Sequence, residues 1–257
     1  MISSNGTVSI ITTIYNCSSF LRESIESILN QSFREFEFII INDGSTDDCE
    51  NIVKSYSDRR IRYIPNKDNK KIPTRRNEAI KMAKGDFIAI HDGDDISLPD
   101  RIGMQAYYLR NNIDYFCVGG HAVKIDSEGK TAGKMHYPPE KHEDIVNMLV
   151  RKCMNPIIDP TTMFRRKDFL EVGQYTLEKD IYTVPDFDLW CRAVIAGKKF
   201  LNLQMPLINY RVNPNGMTGK HREDMVKQHM IVWHRFIKIY YKLANKAGNN
   251  ELERNRR

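Results

Sequence analysis

Short apolar runs punctuate the first 125 residues: Val8–Tyr15, Phe36–Asn42, Ile61–Pro65, Asp86–His91 and Tyr115–Ile125. Short, largely continuous apolar runs of this kind are how buried parallel strands read. Between the runs the apolar spacing changes to the helical period. Phe20, Leu21, Ile25, Ile28 and Leu29 share one helix face behind Ser18 and Ser19 as candidate caps, and Asp47 can open a second helix through Ile52 and Val53. Thr74–Lys84 forms a third, closed by Gly85, and Pro99 suits the first turn of a fourth. Strand and helix in alternation predict βαβ units with right-handed crossovers. The fold class is α/β: a Rossmann-like, mostly parallel central sheet with helices on both faces.

After residue 126 the rhythm loosens. Asp126–Lys130 reads as a turn, Glu143–Cys153 as a helix, Thr161–Arg165 as a short strand, and Asp186–Ala196 as a helix closed by Gly197. Two strand-like runs follow, Lys199–Leu203 and Leu207–Val212. This stretch lacks the pattern of an independent unit, so residues 1–219 form one domain: a ligand-binding half, 1–125, completed and covered by a second half, 126–219. Residues 220–257 form a basic amphipathic helical tail. Within 224–246, Met225, Val232, Trp233, Phe236, Ile237, Ile239 and Tyr240 lie among Lys227, Arg235, Lys238 and Lys242. Such a stripe fits an anionic membrane surface, and equally fits packing back on the main domain or on a second subunit in a homodimer.

Composition narrows the function classes. With 257 residues and 41% hydrophobic content the chain can bury a full core. The formal charge is +6, and residues 220–257 carry all of it, with 10 Lys and Arg against 4 Asp and Glu. A neutral main domain argues against a nucleic-acid groove. No apolar run approaches the roughly 20 residues that cross a bilayer, and Met1–Ser4 does not begin a signal peptide. Five scattered cysteines without C-x-x-C spacing indicate neither disulfides nor zinc. The expectation is a cytoplasmic protein, with peripheral attachment to the inner face of the cell membrane as the one membrane role open to it.

The chemistry concentrates where strands end. In His91-Asp92-Gly93-Asp94-Asp95, three carboxylates follow an apolar run directly. Ligands of open α/β sheets bind beyond the carboxyl ends of strands, and crowded carboxylates call for a divalent cation with phosphate oxygens. A solvated Asp/Gly turn is the plain alternative. Asn42-Asp43-Gly44-Ser45-Thr46-Asp47 is a second acidic turn, where Asp43 could accept the imide N–H of a uracil or thymine while Tyr15 stacks on the ring. In the basic stretch Asn69–Asn77, Arg76 could brace either the Asp cluster or a diphosphate, whereas Lys70, Lys71 and Arg75 read as a solvated helix start. Asp186 reads as the cap of a helix anchored by Phe187, Trp190 and Val194, and a carboxylate so anchored could serve as a general base.

In this order the segments resemble the family 2 glycosyltransferases of the GT-A fold, of the bacterial surface-polysaccharide type. Val8–Asn16 resembles V-S-I-I-x-P-x-Y-N with Thr13 in place of proline, Asn42–Asp47 resembles D-D-G-S-T-D, and Asn69–Asn77 resembles N-x-G-x-x-x-A-R-N. Asp92–Asp95 resembles D-S-D-D, Leu98–Ile102 is similar to P-x-R-L, and Pro185–Arg192 to E-D-x-D-L-W-x-R. The resemblance covers roughly residues 6–215, and the combination is specific where each motif alone is weak. It implies that Thr13, Tyr15 and Asp43 hold the nucleoside of a UDP- or dTDP-sugar, with Arg76 nearby. Asp92 and Asp94 would then meet the diphosphate, Asp94 and Asp95 would ligate Mn²⁺ or Mg²⁺, and Asp186 would deprotonate the acceptor hydroxyl. The implied activity is inverting transfer to a lipid-linked or oligosaccharide acceptor.

The chain departs from the family pattern at several positions. Pro185 stands where glutamate is usual, Lys71 and Arg75 replace small residues, and Asp159 and Asn213 occupy places often held by histidine, for which His221 is a poor substitute. Two rival classes are a sugar nucleotidyltransferase, whose glycine-rich G-x-G-T-R type loop is absent from Ile11–Tyr15, and a non-catalytic nucleotide-sugar binder.

Overall fold

The computed structural model describes residues 6–134, 138–213 and 216–254, with side chains described except at 134 and 247–254. The expected runs become strands β1 (Val8–Ile14), β2 (Phe36–Asn42), β3 (Ile61–Ile64) and β4 (Phe87–Ile90), then β6 (Tyr115–Ile125) after the two-residue β5 (Ile96–Ser97). β7 (Thr131–Lys134), β8 (Met163–Arg165) and β9 (Lys199–Arg211) complete one sheet in the order β3-β2-β1-β4-β8-β6-β9-β5, with β7 beside β6. β3, β2, β1 and β4 are mutually parallel, and β6 runs parallel to β9. β8 joins the two sets by pairing antiparallel with both β4 and β6, and the edge strands β5 and β7 are also antiparallel.

Alternate residues of each central strand serve opposite faces, as the strand period requires. Ile10, Phe38 and Ile40 pack on helices α1 (Ser18–Leu29), α2 (Cys49–Lys54) and α4 (Arg101–Asn111). Ile11, Ile39 and Ile41 pack on α3 (Ile72–Met82), in a cluster that also takes in α5 (His142–Lys152), α6 (Arg166–Val172) and α7 (Pro185–Ile195). At the centre of that second face Trp190 meets Phe116 and Phe200. Truncating such a residue to Ala typically costs about 3–5 kcal/mol.

Several local expectations change. Ser18 does not cap α1. Asp47 instead accepts the Ser18 N–H at 2.8 Å and the Cys49 N–H at 3.2 Å, so one carboxylate serves two helix starts. Gly85 does not close α3; it lies so near β1 that a Cβ would come 2.5 Å from the Ser9 nitrogen. Pro99 precedes α4, whose first residue is Arg101. Lys199–Leu203 and Leu207–Val212 are one strand, β9, whose pairing with β6 shifts register around Gly120–Ala122. Asp186 does not cap α7, which begins at Pro185 with Val184 before it; it lies in the first turn. Gly197, with φ of 72°, does follow the end of α7.

The tail forms α8 (Met217–Lys220) and α9 (Arg222–Arg254). Val232 and Phe236 of α9 are buried in the second-face cluster, with Met225, Trp233, Ile237 and Tyr240 packed around them. The Trp233 indole donates to the Leu149 carbonyl at 2.8 Å. Most of the predicted stripe is therefore used in packing back on the main domain, while Ile239 stays exposed with Val226, Ile231, Tyr241 and Leu243. Among the described residues no helix is long and apolar enough to cross a membrane.

Candidate active site

Register brings the chemistry to one edge. Ile14 stands beside Asn42 and Ile11 beside Ile90, so the chain leaves β1, β2 and β4 at the same end, at Tyr15, Asp43 and His91. Because β8 runs against β4, the residues just before it, including Asp159, reach that end too. Ile125 stands beside Arg211 at the matching end of β6 and β9.

The turn after β2 is tightly held. Asn42 accepts the Ser45 N–H at 2.8 Å, and Asn16, itself left-handed with φ of 49°, accepts the Thr46 N–H at 2.8 Å. Gly44 has φ of 77°, and a Cβ there would lie 2.9 Å from the Asp68 backbone. The Asp43 carboxylate is buried and takes three donors: the Lys70 N–H at 2.7 Å and the Arg75 Nε at 2.8 Å on Oδ1, and the Lys71 N–H at 3.0 Å on Oδ2. A carboxylate offers about four acceptor positions, so one remains, on Oδ2. Arg75 is not a solvated residue as expected. It is 2% exposed and pairs with Asp43, Asp68 and Glu78. Its neighbour Lys71 is exposed but adopts φ of 73° and ψ of 156°, a region essentially reserved for glycine that costs about 1–3 kcal/mol in other residues. The departure from the family's glycine is thus a strained backbone.

Arg76 braces the acidic motif. Its guanidinium donates to Asp92 at 2.7 Å and to Asp159, and it lies 5.6 Å from the centre of the Tyr175 ring. The Tyr175 hydroxyl reaches Asp159 at 3.4 Å. One buried cation thus joins the loop after β4 to the loop before β8.

Asp94 and Asp95 lack such compensation. Burial, and then the charge of Asp92, push Asp94 up to about 6, opposed by a hydrogen bond from the Asn213 side chain. Asp95 is 1% exposed, raised well above the usual carboxylate range by burial and by Asp92 and Asp94. Its Oδ1 accepts the Arg211 N–H at 2.8 Å, whereas Oδ2 is buried without a partner. Leaving such an atom unmatched costs about 1–3 kcal/mol. The Arg211 side chain holds the loop from outside, donating to the Asp94 carbonyl at 2.9 Å, to Glu23 of α1 at 2.5 Å and to the Asp126 carbonyl at 2.9 Å.

Behind the loop runs a polar chain that sequence reasoning gave no role. His91 meets the Ser24 hydroxyl at 2.9 Å and the Ser97 hydroxyl at 3.3 Å; burial, with Arg101 nearby, depresses it to about 3, so it is neutral. Arg101 is fully buried, donating to Ser97, Gln105 and the Ile90 carbonyl. The quoted Leu98–Ile102 stretch held the signal for Arg101. Nothing in spacing marked Arg211, because its partners are backbone groups and a glutamate far away in sequence.

The remaining expected residues surround this centre. Thr13 presents a buried Oγ1 with no partner, and Tyr15 is 49% exposed at the end of β1. Asp186, half-buried in the first turn of α7, accepts the Asn155 amide at 2.8 Å, and burial followed by the charge of Asp159 pushes it up to about 7. Pro185 at the first helical position needs no N–H partner and fixes the turn that carries Asp186. His221 lies elsewhere, 3.8 Å from Asp224 and edge-on to Tyr182.

Comparison with known proteins places this geometry. The chain is 34% identical over 218 residues to EpsE of Bacillus subtilis (strain 168), covering 84% of this chain and 76% of the relative. It is 27% identical to WfaP of Escherichia coli, a UDP-Glc:alpha-D-GlcNAc-diphosphoundecaprenol beta-1,3-glucosyltransferase, over 93% of each chain. Its fold superposes on the mannosyltransferase PcManGT of Pyrobaculum calidifontis, solved with GDP-Man and Mn²⁺, with a TM-score of 0.68 at 15% identity. That match covers 90% of this chain and spans 65% of the longer one, and it establishes the GT-A architecture. The family profile described as Glycosyl transferase family 2 matches residues 9–173. The chain belongs to glycosyl transferase family 2.

Proposed function

We propose that the protein is an inverting glycosyltransferase that moves a sugar from a UDP- or dTDP-sugar to a hydroxyl of a lipid-linked or oligosaccharide acceptor. The observation that carries this reading is the pairing of under-compensated carboxylates, Asp94 and Asp95, with a separate carboxylate, Asp186, tuned to about 7. A general base works best with a pKa near the operating pH.

In this reading Tyr15 stacks on the base, the unpartnered Thr13 hydroxyl meets the nucleoside, and the open acceptor position of Asp43 takes the imide N–H. PcManGT carries GDP-Man, so the fold also accommodates a purine; the choice of UDP or dTDP rests on Asp43 and on the UDP-Glc of WfaP. Arg76 acts through Asp92, holding it in place rather than gripping phosphate itself.

The residues fit a divalent metal. The orphaned Asp95 Oδ2 and the Asp94 carboxylate are hard oxygen donors carrying surplus negative charge, which suits Mn²⁺ or Mg²⁺. No group of three His, Cys, Asp or Glu among the described residues could hold the ion unaided, so diphosphate oxygens would complete its shell, as is usual for Mg²⁺ at phosphate sites. When bound, the ion would neutralise the leaving diphosphate.

Asp186 takes the acceptor proton as the acceptor oxygen bonds to the anomeric carbon. The bond from that carbon to the diphosphate oxygen breaks, its electron pair leaves with the nucleoside diphosphate, and the centre inverts. Asn155 orients Asp186 for this step. The acceptor's lipid would be met at an anionic membrane surface by α9, whose exposed apolar residues include Val226, Ile231 and Ile239.

Asp186→Asn tests the assignment. Calorimetry with UDP- and dTDP-sugars and Mn²⁺ should show donor binding nearly unchanged, while transfer falls by about 10²–10⁴-fold. Unchanged turnover would discard Asp186 as base.

A further inference from the structure

The loop after β4 is held on its inner side by hydrogen bonds whose direction is fixed by the groups at the two ends. The Ser24 hydroxyl lies 3.1 Å from the Asp92 carbonyl oxygen and 2.9 Å from His91 Nε2. A carbonyl only accepts and a hydroxyl has one hydrogen, so Ser24 donates to Asp92 and His91 Nε2 carries a proton toward Ser24. The neutral ring then has a bare Nδ1, which accepts from the Ser97 hydroxyl at 3.3 Å. That leaves the Ser97 oxygen to accept from Arg101 Nη1 at 2.9 Å, and a guanidinium can only donate. We propose that His91, in the Nε2–H form, is a positioning residue of the transfer reaction: it relays hydrogen bonding from Arg101 to the Asp92 carbonyl and so sets the backbone that carries Asp92, Asp94 and Asp95. What that loop does once it is set rests on the transferase reading; the direction of the hydrogen bonds does not.

Both ends of the relay are anchored. Arg101 also donates to the Ile90 carbonyl at 2.6 Å, so the carbonyls on either side of His91 answer to one buried cation, one directly and one through the relay. Ser24 belongs to α1, and the same helix fastens the chain beyond the loop. The Ser27 hydroxyl accepts the Ser97 N–H at 3.0 Å, while the Gln31 side chain donates to the Leu98 carbonyl at 2.8 Å and accepts the Ile102 N–H at 3.1 Å.

Between these anchors His91 is fully buried, so neither ring nitrogen can turn to solvent for another partner. The Asp92 carbonyl that receives the relay also receives the Asp95 N–H at 3.3 Å, which closes the loop on itself. Arg211 holds this loop from outside and His91 from behind. Without the inner hold, repulsion among the three carboxylates is free to open the turn and spread the oxygens that a cation would need together. Partners that orient a ligand in this way typically weigh 10–100-fold in metal affinity.

Nitrogen-15 NMR of the full chain at neutral pH tests the relay itself: the imidazole signal that His91→Gln lacks should show a protonated Nε2 and a bare Nδ1. Calorimetry with UDP, in Mn²⁺ and in EDTA, measures what the ion adds to binding. His91→Leu should lower that gain about tenfold and leave the affinity in EDTA unchanged, because Tyr15 and Asp43 stand at the ends of other strands. His91→Gln, whose amide also accepts at one atom and donates from another, should keep the gain. Ser24→Ala, a change that a helix accepts well, should repeat the loss, so that misfolding of His91→Leu does not account for it. Amide exchange at Asp95 should quicken in His91→Leu and Ser24→Ala but not in His91→Gln. A proton on Nδ1, an undiminished gain in both His91→Leu and Ser24→Ala, or a His91→Gln no better than His91→Leu would overturn the proposal. A parent that gains nothing from Mn²⁺ yet shows the Nε2–H ring and this exchange pattern would instead sink the metal-assisted transferase reading, and leave His91 only as the anchor of the loop.

Discussion

The two acidic turns, after β2 and after β4, look alike in sequence and differ in what answers their charge. Asp43 is surrounded by donors from its own chain: two backbone N–H groups and a buried arginine. Asp94 has the Asn213 amide and its own backbone N–H, and Asp95 has the Arg211 N–H; the nearby charges of Arg211 and Arg101 do not outweigh burial, and Asp95 Oδ2 is left with no partner. A carboxylate whose bonds are made inside the protein organises structure, and one left short of them is arranged for something that arrives later. The first turn is braced from within and keeps one acceptor position on Asp43; in the proposed reading the second would take a cation.

Substitution can break that contrast. Asp43→Ala strands the Lys70 and Lys71 N–H groups and removes one partner of the buried Arg75, so it should cost about 3 kcal/mol, the low end for a broken buried pair, since Asp68 and Glu78 still hold the guanidinium. A urea midpoint unmoved by this change would show that the first turn is not structural. Asp94→Asn should do the reverse: it removes repulsion with Asp92, so the free protein keeps or gains stability. Metal-dependent donor binding should nonetheless weaken about tenfold, or about 1.4 kcal/mol, measured by titration with Mn²⁺ present.

The smallest effect comes from pH. Asp186 belongs with the under-compensated carboxylates, and as a base it works only when deprotonated. Transfer should therefore rise with pH through about 7, falling by roughly half from pH 8 to pH 7, a profile that Asp186→Asn would flatten. The linked stability change has the opposite sign. Because the folded pKa lies above the ordinary 3.8, the stability contributed by protonated Asp186 is complete below that value and lost as pH rises through about 7.

What was legible in the chain follows the range of the forces involved. The strands within residues 1–125 could be read because burial on both faces writes itself as continuous apolar runs, and the acidic turns because strand ends are marked by the runs they terminate. Arg76 could be narrowed to two roles, while its partner Asp159, 83 residues away, could not be read from the chain. Arg75 reads as solvated in the chain because Asp43 and Asp68, which bury it, come from loops; only Glu78, at i+3 on the same helix, sits at a spacing that announces a pair. β9 was read as two strands because Gln204-Met205-Pro206 interrupts its apolar pattern, while pairing with β6 carries the backbone through the gap. The role of the α9 stripe could not be decided from amphipathicity, since the same face suits a lipid surface or a protein core.

Arg211 ends β9 while holding Asp94, Asp95, Glu23 and Asp126 together. The acidic loop, a strand end and a helix therefore travel as one piece, and an incoming donor cannot reshape the loop without dragging β9 along. If metal and diphosphate bind as proposed, most of the ordering they would impose is already in place, so the entropic penalty of capture would fall on folding and the bound pose would be narrow from the outset.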